Sequence, residues 1–292
     1  MEDRIRRRIY RQYKHNSKHN FNYNSNQKRN VCMIMVILIV AVILLVSVFY
    51  QKKQEEKRKT IGNLLLTALK PVGSTMYIWG GGWEDEKTAQ SATSVQIGVS
   101  PRWEEFYKQQ DASYDFNLTR FQREDGLDCS GYLGWCVYNV MENKSGKKGY
   151  VVKSTCMALN YSKRGWGTFT EVGKVREFKA GDIMSMEGHV WMVVGRCKDG
   201  SVVFLHATPP GVSLAGTLLA DGSESEATKL AESYMSRYFP DWYEKFPDCK
   251  KDYTYLTGSA SMSWNQKTLR DREGLTQMDA KGVLEWMFSH RE

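Results

Sequence analysis

Apolar and polar positions along this chain follow several distinct rhythms. Residues 31–50 read VCMIMVILIVAVILLVSVFY, twenty consecutive positions without a charge. A helix rises 1.5 Å per residue, so such a run spans about 30 Å, the thickness of a bilayer's hydrocarbon core. A soluble core helix that is apolar on every face and flanked by charge on both sides would be anomalous. Thirty residues precede the run, and Val48-Phe49-Tyr50 lacks the small residues of a cleavage site, so the pattern favours an uncleaved anchor over a signal peptide. Further on, Leu64, Leu65, Leu66, Ala68 and Leu69 predict a helix that stops before Pro71. A second helix is predicted over 128–141. Asp128 is a good N-cap there, and Tyr132, Leu133, Trp135, Cys136, Val140 and Met141 form a broad apolar surface. The period then shortens. Residues 182–186, 189–195 and 201–207 read as three β-strands, the last two joined by a Lys198-Asp199-Gly200 turn. Helical spacing returns at 228–239 and 278–288.

Charge refines this outline. The chain of 292 residues carries a net +8, but residues 1–30 hold +7 of it, residues 51–60 another +3, and residues 61–292 sum to −2. A near-neutral body gives no footprint for nucleic acid. The basic clusters flank the apolar run instead. The denser one, with Arg4, Arg6, Arg7, Arg8 and Arg11, precedes it, which by the positive-inside rule puts the N-terminus in the cytoplasm and the rest outside the membrane. The resulting expectation is a basic disordered tail over 1–30, rich in Asn, a span over 31–50 and a charged stalk over 51–63. A catalytic domain over 64–292 would follow, interrupted by an insertion at 84–127 and continued by an extension at 212–292. Aromatic residues in the insertion (Trp103, Phe106, Tyr107, Tyr114, Phe116) and in the extension (Trp242, Tyr243, Tyr253, Tyr255, Trp264) imply that both are folded.

Candidate chemistry centres on Asp128-Cys129-Ser130-Gly131-Tyr132, read with Gly188-His189-Val190 and His206-Ala207. Of five histidines, only His189 and His206 fall inside the body of the domain, both in strand-like segments that follow a helix starting with cysteine. A thiol is a poor nucleophile until deprotonated, and a helix N-terminus and a neighbouring imidazolium are two standard ways to lower its pKa. Cysteine, then histidine, then a polar group that orients the histidine is the order of a cysteine-hydrolase triad. A zinc site would need Cys129 with His189 and His206, and no Cys-x-x-Cys or His-x-x-x-His spacing supports it. Four further cysteines (Cys136, Cys156, Cys197, Cys249) show no disulfide-framework spacing.

These motifs resemble the NlpC/P60 family of cell-wall peptidases. Beyond the Asp-Cys-Ser-Gly-Tyr, Gly-His-Val and His-Ala segments, Tyr77-Ile78-Trp79-Gly80-Gly81 resembles the family's Tyr-x-Trp-Gly-Gly motif. Phe178-Lys179-Ala180-Gly181-Asp182-Ile183 resembles its Pro-Gly-Asp strand lead-in. The resemblance covers roughly residues 64–210. It implies an α+β, papain-like fold in which a Cys-bearing helix packs on an antiparallel sheet. It also implies Cys129 as nucleophile, His189 as proton acceptor and donor, His206 as the group that orients His189, and Tyr77, Asp128 and Ser130 as the lining of the substrate cleft. The implied substrate is a peptidoglycan stem peptide, cut between D-glutamate and the following diamino acid, with no cofactor and no metal. An amidase of the related CHAP type, an acyltransferase using the same site and a non-catalytic anchored scaffold are the alternatives. An anchored hydrolase without wall-binding repeats would suit wall growth or local wall opening for a secretion or conjugation assembly.

Overall fold

The computed structural model describes residues 2–83 and 92–291. The chain divides into two units, Met1–Lys57 and Arg58–Glu292. The described residues of the first are all helical. Helix α1 runs Glu2–Arg58, and within it Cys32–Glu56 is long and apolar enough to cross a membrane, with none of that stretch buried. By that test alone it would equally suit a signal sequence. Composition suggested a disordered tail before the span, whereas residues 2–30 continue its helix. The unfavourable step in helix formation is nucleation, and an apolar segment that is already helical lets its flanks add residues without repeating it.

The second unit begins where sequence suggested a stalk. Thr60 caps α2 (Ile61–Leu69), its hydroxyl accepting the Asn63 N–H at 3.0 Å, and Arg58 donates to the Met141 carbonyl at 3.0 Å. The remaining helices are α3 (Pro101–Lys108), α4 (Cys129–Met141), α5 (Met157–Lys163), α6 (Glu226–Tyr238), α7 (Pro240–Lys245), α8 (Thr254–Thr257) and α9 (Ala280–His290). Their starts follow local chemistry: Ser225 and Thr228 form a capping box on α6, and Asp279 accepts the Gly282 N–H on α9.

Seven strands form one sheet. They are β1 (Gly167–Thr170), β2 (Ile183–Met186), β3 (His189–Arg196), β4 (Val202–Thr208), β5 (Gly211–Thr217), β6 (Lys250–Lys251) and β7 (Ala260–Trp264), in the spatial order β1-β7-β2-β3-β4-β5-β6. The three strands legible in the sequence are β2, β3 and β4. Sequence suggested an antiparallel sheet, but the sheet is mixed: β5 and β6 run parallel through Gly216 and Lys250, and every other pair is antiparallel. Strand alternation divides the core. Val190, Met192 and Val194 of β3, with Val203 and Leu205 of β4, join a large cluster with α2, α4, α6 and α9. Trp191, Val193, Val202 and Phe204 point the other way, into a smaller cluster with Met184, Ala215 and Leu256.

Neither the insertion nor the extension is peripheral. Trp103 of α3 is fully buried, edge-on against Trp135 of α4 at 5.5 Å. Truncating such a residue typically costs on the order of 3–5 kcal/mol. The extension supplies nearly all of β5 and the whole of β6 and β7, and β7 lies between β1 and β2. Without it, β2 loses the partner that pairs with its residues 183–185. Limited proteolysis of the full chain should therefore accumulate no stable fragment ending near Gly211. A resistant fragment with that end would show the extension to be a separate module.

Candidate active site

The site is assembled around the start of α4. Asp128, extended at φ −88° and ψ −178°, accepts the Gly131 N–H at 2.7 Å and the Ser130 hydroxyl at 2.8 Å on the same oxygen, Oδ1. Its own N–H goes to the Gly81 carbonyl at 2.9 Å. The glycine run Gly80-Gly81-Gly82 thus lies directly against the first turn, with Gly80 and Gly82 at φ +75° and +78°. A Cβ on Gly131 would collide with the Gly81 carbonyl oxygen, so the approach needs glycine at that position. The Tyr132 N–H returns to the Asp128 carbonyl, while the Cys129 N–H has no intramolecular acceptor among the described residues and stays available as an oxyanion donor.

Cys129 is 6% exposed and sits against the start of β3. The backbone N–H groups of Val190 and Ser130 and the Ser154 hydroxyl favour its thiolate, and Val190 directly follows His189 in the chain. His189 Nε2 and His206 Nδ1 are 3.2 Å apart, and the two rings meet edge-on. His206 is wholly buried, and its Nε2 has no hydrogen-bond partner among the described residues. Of the sequence-derived trio, the two histidines pair with each other, and Cys129 lies beside the backbone of Val190. Cys129 and His189 make no direct hydrogen bond with each other among the described residues.

Protonation departs from the expectation that a helix N-terminus and an imidazolium would lower the thiol pKa. Burial pushes the Cys129 thiol up to about 12, with the charge of Asp128 adding to the rise. Burial also lowers His189 to about 4 and His206 well below its ordinary value, with Lys251 adding to both and His189 to His206. Three pH units correspond to about 4 kcal/mol, whereas a helix N-terminus contributes about 0.3–2 kcal/mol. Desolvation wins, and the enclosed site holds a neutral thiol beside neutral imidazoles.

Tyr77, Asp128 and Ser130 lie beside the start of α4. Tyr77 is nearly buried, edge-on to Phe116 at 5.6 Å, and its carbonyl accepts the Tyr114 hydroxyl at 2.6 Å. Burial raises its phenol, the charges of Cys129 and Asp128 raise it further, and Arg120 opposes them. Asp128 is likewise raised by burial, against the hydrogen bonds that it accepts. The Ser130 hydroxyl donates to Asp128 and holds the first turn. Two contributors were missed from sequence. Ser154 lies in a 3-10 turn that no periodicity signals. Tyr255 lies in the extension, where its aromatic character is legible but its destination is not.

All six cysteines are free thiols. Cys136 is fully buried on α4 with the core, on the apolar surface read from the sequence. Cys197, Asp199 and Glu226 bring possible metal-ligand atoms within 4.8 Å of one another. Their carboxylates already accept backbone hydrogen bonds: Asp199 from Ser201 at 3.0 Å and from Glu226 at 2.7 Å, and Glu226 from Lys198 at 3.1 Å. That cluster ties the β3–β4 turn to the start of α6. Compared with family models, curated proteins and solved structures, the chain matches none.

The depressed histidines make stability depend on pH. Above about 6.5 they are neutral in both folded and unfolded chains and contribute no difference. As pH falls from 6.5 toward 4, the unfolded chain binds protons that folded His189 resists, and stability is lost until both states are charged. His189 is only partly buried as a residue, so about 3 kcal/mol is an upper bound for its share. The thermal midpoint should drop more between pH 7.5 and 4.5 in the parent than in a His189→Gln/His206→Gln variant. Equal drops would mean that neither histidine is held neutral by the fold.

Proposed function

We propose that the chain is a membrane-anchored cysteine peptidase of papain-like, NlpC/P60-like type that hydrolyses peptidoglycan stem peptides. The observation that carries the proposal is Cys129 in the first turn of a buried helix, against the start of a strand whose first residue, His189, pairs at 3.2 Å with buried His206. In this reading, Cys129 passes its proton to His189 and attacks the peptide carbonyl. The tetrahedral oxyanion takes the Cys129 N–H, and collapse expels the amine, protonated by His189. Water, deprotonated by the same histidine, then releases the acyl group and restores the thiol. His206 holds the His189 ring. Tyr77 and Asp128 form the adjacent wall, and Ser130 keeps Asp128 in place. The motifs of the first section support the stem-peptide substrate.

Digestion of purified muropeptides, with products weighed, tests the assignment. Cys129→Ala should abolish turnover, and His189→Ala should cost about as much, because residues acting as a unit are not additive. His206→Gln can still accept a hydrogen bond from His189 and should retain partial activity, with a loss on the order of 10- to 1,000-fold. If His206→Gln is inert while His189→Ala stays active, the two histidine roles are exchanged. Full activity in all three variants would place the chemistry elsewhere. A product in which only the glycan–peptide amide is cut would favour the amidase alternative.

The apolar stretch Cys32–Glu56 would act as a single-pass anchor, with the denser basic flank cytoplasmic and the catalytic unit outside. Protease added to intact protoplasts should then remove the catalytic unit. Survival there, with loss only after lysis, would reverse the orientation.

A further inference from the structure

We propose that Tyr255, carried by the C-terminal extension, is a positioning residue that fixes the planes of the paired imidazoles. The proposal rests on Cys129, His189 and His206 forming a thiol-hydrolase site. The Tyr255 ring meets His189 edge-on at 5.6 Å and His206 edge-on at 6.2 Å. It also lies tilted on Phe204 at 5.2 Å and on Trp191 at 5.9 Å. These four partners are two residues each from the adjacent strands β3 and β4, on the sheet face away from α4. Leu256, next in the chain, is buried in the same cluster and anchors the short helix that presents the ring.

The geometry assigns the work to the ring. Among the described residues the Tyr255 hydroxyl forms no intramolecular hydrogen bond, and burial, then the charges of Cys129 and Asp248, push it up to about 12, so it stays protonated. His189 and His206 are joined by a single hydrogen bond of 3.2 Å, which ties one nitrogen of each ring but tolerates tilting of the two ring planes within the breadth of the χ2 wells. Edge-to-face contacts on both rings restrict that tilting, each by on the order of a 2- to 10-fold bias in population. The charged and titratable groups that act on this pocket are Cys129 from α4, Lys251 from β6 and Asp248 just before it. None of these is a carboxylate hydrogen-bonded to either histidine, so the orientation of the pair depends on packing and on the mutual bond.

Three variants of the full chain in detergent test this: Tyr255→Phe, Tyr255→Leu and Tyr255→Met. The first readout is muropeptide hydrolysis. Tyr255→Phe keeps the ring and should stay within about 3-fold of the parent, whereas Tyr255→Leu should lose on the order of 10-fold or more in kcat, with KM within about 3-fold. The second is the pH profile of Cys129 alkylation by iodoacetamide, followed by the mass of the Cys129 peptide, which needs no substrate. The inflection set by the histidine pair should move up by a unit or more in Tyr255→Leu and stay in place in Tyr255→Phe. If the parent cleaves no muropeptide, the peptidase reading fails, and the alkylation profile still decides the positioning role. Met keeps side-chain volume and carries the comparison if the Leu variant does not melt cooperatively. Unchanged kcat and profile in Tyr255→Leu would overturn the proposal. So would a Phe variant as impaired as the Leu variant, which would make the hydroxyl the acting group. Loss of cooperative melting in both Leu and Met would also overturn it, leaving the ring a purely structural part of the core.

Discussion

The arrangement at the site depends on the close seating of the start of α4 against the glycine run Gly80-Gly81-Gly82. One backbone hydrogen bond, Asp128 N–H to the Gly81 carbonyl at 2.9 Å, joins the two segments. The contact is possible only because Gly131 has no side chain to displace that carbonyl. The same Asp128 caps the helix through Gly131 and holds Ser130. The position of the thiol, the direction of the free Cys129 N–H and the approach to β3 all follow from this one junction. A side chain at Gly131 would move Cys129 itself.

Enclosure brings a conflict that the helix terminus does not resolve. Desolvation acts on Cys129, His189 and His206 together, and in every case it disfavours the charged form. The thiolate donors at Val190, Ser130 and Ser154 lower the thiol pKa, but not by enough. The thiol and the two imidazoles are therefore held in their neutral forms. An enclosed neutral thiol is also protected from adventitious oxidation, since the thiolate is the reactive species.

The extension is as much a part of the folded body as the motif-bearing region. β7 divides β1 from β2, and α6 and α9 cover the face that carries α4. The opposite face, with the histidines, is closed by Tyr255 and Leu256 from the same extension. The insertion closes the remaining side by placing Phe116 and Tyr114 on Tyr77. Aromatic content was enough to show that both segments are folded, but not where they pack.

Local spacing by itself determined the apolar helix, α4 with its Asp128 cap, the strands β2, β3 and β4 with the turn between the last two, and the helices α6 and α9. Each is set by neighbours within a turn or a hairpin, and side-chain period and capping residues report those neighbours directly. The residues Cys129, His189 and His206 were legible for the same reason, as nucleophile-type and base-type side chains on predicted elements. Other properties were decided only in three dimensions. The N-terminal tail, read from its asparagines as irregular, continues a helix whose nucleus lies downstream. The parallel β5–β6 contact and the place of β7 join segments far apart in the chain, and strand pairing carries no local signature. Tyr255 reached the histidines, and Ser130 turned to Asp128, for the same long-range reason. Even the sign of the thiol shift came from the fold, because the cost of a charge depends on every atom that replaces water around it, and no spacing along the chain records that sum.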